Sequence, residues 1–187
     1  FARTRADDLL IHAIQSVLSA ADSTQQVNNN IDDIVVGCAM PEGPQGLNVA
    51  RISTLLAGLP DSTPAYTLNR FCSSGLQSVA NAAELVKSGS ADLVIAAGVE
   101  SMSSVPMMGF KPSVNPKVLE DENIAIAYGM GITAEKVVEK YNISREAQDE
   151  FAYNSHQKAI LANKNGLFEE EISPITTNET TYSLDSK

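Results

Sequence analysis

Three short apolar runs decide what this chain can become. Residues 34–40 (IVVGCAM), 64–68 (PAYTL) and 91–99 (ADLVIAAGV) are strand-length, rich in small or β-branched residues, and separated by helix-length stretches. Runs that are apolar without alternation belong to strands covered on both faces. Strands alternating with helices then indicate an α/β fold, layered around a mainly parallel sheet.

The intervening segments carry helical signals. Residues 5–21 place Leu9, Leu10, Ala13, Ile14, Val17 and Leu18 on one face, and the polar run 22–30 reads as a loop. After the turn chemistry of PEGPQG at 41–46, Asn48 is positioned to cap a helix carrying Val49, Ile52, Leu55 and Leu56 that stops at Gly58. A further helix is predicted over 73–86, closing at Gly89. Beyond Glu100 the texture changes. SMSSVPMMGFKPSVNP has no period and reads as an excursion from the sheet, after which Thr133 and Ser144 are placed to cap two amphipathic helices. The second helix carries Ala147, Phe151, Ser155, Ala159 and Ala162 and ends at Gly166. Residues 1–101 are therefore read as one unit and 102–187 as a second, smaller, helical one.

Composition removes whole function classes. With 13 Lys plus Arg against 23 Asp plus Glu, the formal charge of −10 repels polyanions, so nucleic acid is not the expected partner. No apolar run reaches the ~20 residues that span a bilayer, so no transmembrane segment is expected. The chain begins at Phe1 rather than Met, and a removed targeting segment would leave no trace in it. Two cysteines, Cys38 and Cys72, with no paired Cys or His spacing, predict neither a disulfide framework nor a metal site and fit a reducing compartment. In that compartment the sequons at Asn142 and Asn178 are chance matches.

Cys72 stands where the strand 64–68 hands over to a helix, and ligand sites of open parallel sheets lie at the carboxyl ends of strands. Free N–H groups and the helix dipole favour a thiolate there, and the same amides suit an oxyanion formed on a carbonyl under attack. The small residues Ser73, Ser74 and Gly75 leave room for that carbonyl. Position and neighbours leave two readings open for Cys72, a nucleophile or a small buried hydrophobe. Cys38 lies near the end of its strand with no helix start beside it and is read as packing. His12 and His156 fall inside predicted helices and are read as surface or packing residues, so the candidate nucleophile has no base. YGMGIT at 128–133 begins as Gly-x-Gly but has Ala134 at the third position and no strand before it, which argues against a dinucleotide site. The carboxylates of FEEEI at 168–172 are read as a solvated strand face rather than an acid pair.

These residues carry a resemblance. NRFCSSGLQSVANAAELVKSGSADLVIAAGVESMS at 69–103 resembles the active-site region of the thiolases, which cleave or form 3-ketoacyl-CoA. GMGITAEKVVEKYNISREAQDEFAYNSHQKAILANKNGLFEEEISPI at 129–175 resembles the loop domain inserted in the same family, and DDIVVGCAMPEGPQGLNVAR at 32–51 its second strand and helix. The resemblance implies a layered αβαβα fold, here an incomplete amino-terminal half-domain with part of the helical loop domain. It implies Cys72 as the nucleophile of a ping-pong acyltransferase, its backbone N–H donating to the acyl-enzyme oxyanion, and Met130 as a lining residue of the pantetheine and acyl pocket. Gly129 stands where biosynthetic acetoacetyl-CoA thiolases carry a histidine, and the segment 101–128 is shorter than theirs, which points toward the degradative enzymes of fatty-acid β-oxidation.

By the same resemblance the chain is expected to be a fragment. A central strand ahead of Phe1, the last strand of the first half and a second half holding the activating Gly-His-Pro histidine and a second cysteine would lie outside it. The implied substrates are CoA and acyl-CoA, with no further cofactor. The implied partners are copies of itself, as a homodimer or homotetramer, or a β-oxidation multienzyme complex, with a cytoplasmic, mitochondrial or peroxisomal location. Two other readings stay open: a β-ketoacyl carrier-protein synthase, which condenses with decarboxylation and lacks the loop domain, and a non-catalytic assembly module of the same fold.

Overall fold

The computed structural model describes residues 1–21, 27–120, 129–177 and 181–182. Contact density divides the chain into a unit of Phe1–Pro112 with Ile175–Tyr182 and a second unit built on Ser113–Pro174. The sequence reading puts this boundary after Ser101. The aperiodic stretch that follows stays with the first unit as far as Pro112, and in it Val105 is fully buried and Phe110 donates its amide to Glu42.

The first unit holds α1 (Ala6–Ala21), β1 (Asp33–Gly37), α2 (Val49–Leu56), β2 (Ala65–Leu68), α3 (Ser74–Lys87) and β3 (Val94–Gly98). The three strands form a parallel sheet in the order β2-β1-β3, with Ile34 opposite Ala65 on one side and Ile95 on the other. β1 pairs directly with both neighbours, so the described sheet is continuous. Side chains alternate across it. Ile34, Val36 and Cys38 join Leu10, Ile14 and Leu18 of α1 and Val49 and Ala50 of α2 in one apolar cluster. The opposite face receives α3, tied down by Ser78 Oγ donating to the Ala97 carbonyl at 2.8 Å and Asn81 Nδ2 donating to the Tyr66 hydroxyl at 3.1 Å. The result is a helix–sheet–helix sandwich in which burial of Ile34, Val35 and Val36 contributes about 1.5–3 kcal/mol each.

Local signals behave unevenly. Asn48 caps α2 as expected, accepting from the Arg51 amide at 3.3 Å. The buried face of α2 is not the apolar one: Val49, Ala50, Ser53 and Thr54 turn inward, whereas Leu55 and Leu56 are 41% and 61% exposed. Short side chains allow the helix backbone to lie close to α1 and the sheet, and two leucines would hold it off. Residues 27–30 form a 3₁₀ turn at the end of the expected loop, whose residues 22–26 lie outside the described ones.

The second unit contains α4 (Pro116–Glu120), α5 (Met130–Tyr141) and α6 (Arg145–Lys164). Ser144 caps α6 by accepting from the Ala147 amide at 3.2 Å. Thr133 does not cap α5. The helix begins one turn earlier with Gly129 at the cap position, and the Thr133 hydroxyl instead reaches the Gly129 carbonyl. FEEEI is a turn, not a strand, and its three glutamates are exposed. The chain extends only at β4 (Ile175–Thr176), which pairs antiparallel with β5 (Thr181–Tyr182) and belongs to the first unit. The residues 121–128, including Tyr128, and the sequon at Asn178 lie outside the described residues. Among the described residues no helix is long and apolar enough to cross a membrane.

Candidate active site

The carboxyl ends of β1, β2 and β3 lie along one edge, because the strands are parallel and in register. Cys72 stands there, in a 3₁₀ turn (Phe71–Ser73) between β2 and α3. The thiol is exposed. The sequence reading places the helix start at residue 73, and the structure inserts this turn first, so Cys72 precedes the helix rather than opening it.

One glycine explains why the helix starts where it does. A methyl group on Gly37 would stand 2.4 Å from the Ser74 carbonyl carbon and oxygen, whereas one on Gly98 would make an ordinary contact of 3.6 Å with the Gly75 Cα. The first turn of α3 is thus seated on the bare backbone at the end of β1. Ser73 makes no side-chain cap, and the Ser73 and Ser74 amides donate instead to the Arg70 and Phe71 carbonyls of the turn.

The turn itself is strained. Phe71 has φ of +47°, the left-handed region that a bulky residue avoids at a cost of about 1–3 kcal/mol. Its amide donates to Asn69 Oδ1 at 2.8 Å. Ser74 Oγ accepts from the Arg70 amide at 2.9 Å and donates to the Phe71 carbonyl at 2.6 Å. The Arg70 guanidinium donates to Gln77 Oε1, and Gln77 Nε2 donates to Asn81 Oδ1 at 2.6 Å, so a polar ladder runs from the turn down α3 to Tyr66.

A second network binds the loops after β1 and β3. Gln45 is fully buried, with Nε2 donating to the Met40 carbonyl at 2.8 Å and to Glu100 Oε1, and Oε1 accepting from the Ser101 amide at 2.9 Å. Glu100 Oε2 accepts from the Ala39 amide at 2.6 Å, and Glu42 Oε2 from the Phe110 amide at 2.8 Å. Sequence reasoning passed over Ser74 as a small residue, Gln45 as turn chemistry and Glu100 as the residue after a strand. A lone carboxylate at the carboxyl end of a buried strand was the one available signal.

Cys38 is packing. It is 1% exposed inside the apolar cluster, and burial, helped by the charge of Glu100, pushes its thiol up to about 11. His12 lies on α1, across the sheet from α3, within reach of the Ser16 hydroxyl at 3.4 Å. His156 lies on α6 in the second unit, exposed. Among the described residues no side chain hydrogen-bonds or ion-pairs with the Cys72 thiol. Met130 opens α5 in the second unit and is 73% exposed.

The fold is a parallel α/β sandwich that presents an exposed cysteine on a strained turn just ahead of a helix. The chain belongs to the thiolase family: residues 1–185 match the model of the thiolase N-terminal domain. It is 47% identical over 186 residues to 3-ketoacyl-CoA thiolase of Bacillus subtilis (strain 168), covering 100% of this chain and 46% of that protein. It is 43% identical over 179 residues to the peroxisomal 3-ketoacyl-CoA thiolase 1 of Arabidopsis thaliana, covering 95% and 39%. The crystal structure of the dimeric peroxisomal thiolase of Saccharomyces cerevisiae superimposes with a TM-score of 0.85 at 34% identity, covering 100% of this chain and 48% of that one. The chain spans about half the length of the curated relatives it matches.

Proposed function

We propose that this chain supplies the nucleophile of a 3-ketoacyl-CoA thiolase and that Cys72 is that nucleophile. In the degradative direction the Cys72 thiolate attacks the 3-keto carbon, and the bond between carbons 2 and 3 breaks. The electron pair leaves as the enolate of acetyl-CoA, which takes up a proton. The acyl group remains on Cys72 as a thioester until the thiolate of a second CoA attacks it, forming the shortened acyl-CoA and returning the cysteine. Each attack places negative charge on a carbonyl oxygen, and the backbone N–H of Cys72 is the donor suited to it. CoA and acyl-CoA are the substrates, and no further cofactor enters the chemistry.

The observation that carries this reading is the placement of an exposed cysteine on a left-handed turn at the carboxyl edge of a parallel sheet, in a chain of this family. Met130, exposed at the start of α5, is the proposed lining residue for the pantetheine and acyl chain. Gly129, which carries no side chain at the cap of that helix, supports a pocket open to longer acyl chains and a role in fatty-acid β-oxidation. The dimeric state of the yeast relative supports a homodimer. The test is intact-mass analysis and peptide mapping after incubation of the protein with acetyl-CoA. Acetylation confined to Cys72 supports the reading, whereas modification elsewhere or none at all overturns it. Acyl transfer from a carrier protein but not from CoA would move the protein to the carrier-protein synthases instead.

A further inference from the structure

We propose that Ser74 is the positioning residue of this nucleophile: its hydroxyl holds Phe71 in the left-handed conformation and thereby sets Cys72 at the head of α3. The inference rests on the reading of Cys72 as the acyl acceptor. Ser74 is 4% exposed, and its single hydroxyl is used in both directions, accepting from the Arg70 amide and donating to the Phe71 carbonyl. Those two groups flank the φ of +47° at Phe71. An ordinary serine in a first helical turn back-bonds to the carbonyl three or four residues earlier and nothing more. Here the second bond reaches out of the helix, to an amide on the far side of the strained residue.

No packing of Phe71 itself offsets the strain, because its ring is 64% exposed. The Asn69 carboxamide that accepts from its amide is exposed as well. Ser74, by contrast, is anchored from beneath, with its backbone against Gly37. The chain of cause therefore runs from the end of β1, through the Ser74 backbone and hydroxyl, to the turn that presents the thiol. Without the hydroxyl, Phe71 returns to negative φ, and the adjoining Cys72 turns away from the helix start. A displacement of order 1 Å at a reacting group costs about a hundredfold in rate.

The experiment measures the single-turnover rate of Cys72 acetylation by saturating acetyl-CoA in wild type, Ser74→Ala, Ser74→Thr and the double variant Ser74→Ala with Phe71→Gly, each below its melting transition. Ser74→Ala is expected to slow acetylation at least about tenfold. Ser74→Thr, whose hydroxyl reaches the same carbonyl, restores the rate. The double variant also recovers, because glycine adopts positive φ without the hydroxyl's support. A rate in Ser74→Ala within twofold of wild type overturns the inference, and so does a double variant no faster than Ser74→Ala. If Ser74→Ala does not fold, the double variant decides alone: a rate near wild type supports the inference, and a folded but slow protein overturns it. A wild-type protein whose Cys72 takes no acetyl group instead overturns the reading of the site, and this inference with it.

Discussion

At the scale of the residue, the two cysteines are a controlled comparison within one fold. Cys72 is exposed on a strained turn just ahead of a helix, and Cys38 is closed inside the apolar cluster. In the full-length enzyme that contains this chain, Cys72→Ser is expected to keep the fold and lower thiolysis by several orders of magnitude, since an alcohol is far harder to ionise than a thiol. There Cys38→Ala is expected to retain most of the activity at some cost in stability, and steady-state thiolysis by the two full-length variants checks the pair. The buried thiol makes a separate statement about pH. Its value rises from the ordinary 9.0 to about 11, so between those limits the unfolded chain releases a proton that the folded chain keeps. Stability that is fully present below 9.0 is therefore lost as pH climbs toward 11. Denaturant unfolding below pH 9.0 and near pH 11 should show a steeper loss in wild type than in Cys38→Ala. Equal losses in the two proteins would show that the thiol is not desolvated.

At the scale of the element, the decisive contact is backbone on backbone. A β-carbon at Gly37 would meet Ser74 at 2.4 Å and the Gly75 nitrogen at 2.7 Å, with no flexible side chain able to yield. Gly37→Ala must push α3 off the sheet, and overpacking of this kind costs about 1–3 kcal/mol or more. Thermal melting should drop by several degrees, with Cys72 acetylation slowed in step. Gly75→Ala is the matched control, because nothing lies within 4 Å of its β-carbon position, and its melting temperature should hold or rise. An unchanged melting temperature in Gly37→Ala would refute this account of how the helix is seated. The alternation of strands and helices was legible because periodicity and caps are local signals, and Asn48 and Ser144 cap as their sequence context predicts. The inward face of α2 was not legible, since close packing selects Ala50, Ser53 and Thr54 over the two leucines and no single helix contains that information. Nor was the start of α5, where Gly129 takes the cap position ahead of Thr133. In the site, the address of Cys72 could be read from its place after a strand. Ser74, Gln45 and Glu100 could not, because their roles depend on a left-handed turn or on partners as far as 61 residues away.

At the scale of the whole molecule, nucleophile and base have to be counted together. The described residues place Cys72 on a strained turn just ahead of a helix. Of the two imidazoles, His12 lies on α1 across the sheet from α3, and His156 belongs to α6 of the second unit. A helix terminus is worth at most about 2 kcal/mol to an anion, and a general base contributes about 10² to 10⁴ in rate. The second effect is not replaced by the first. The net charge of −10 adds nothing in compensation, since a negative surface opposes thiolate formation and repels the CoA phosphates. The chain of 187 residues by itself, a little under half of the Bacillus relative, should therefore take an acetyl group on Cys72 slowly and show no sustained thiolysis. The measurement is consumption of acetoacetyl-CoA in the presence of CoA by the purified chain, freed of any longer thiolase. Initial acetylation without turnover is the expected pattern. Sustained turnover that vanishes in Cys72→Ala would place a base within these residues, and loss of that turnover in His156→Ala rather than His12→Ala would say which.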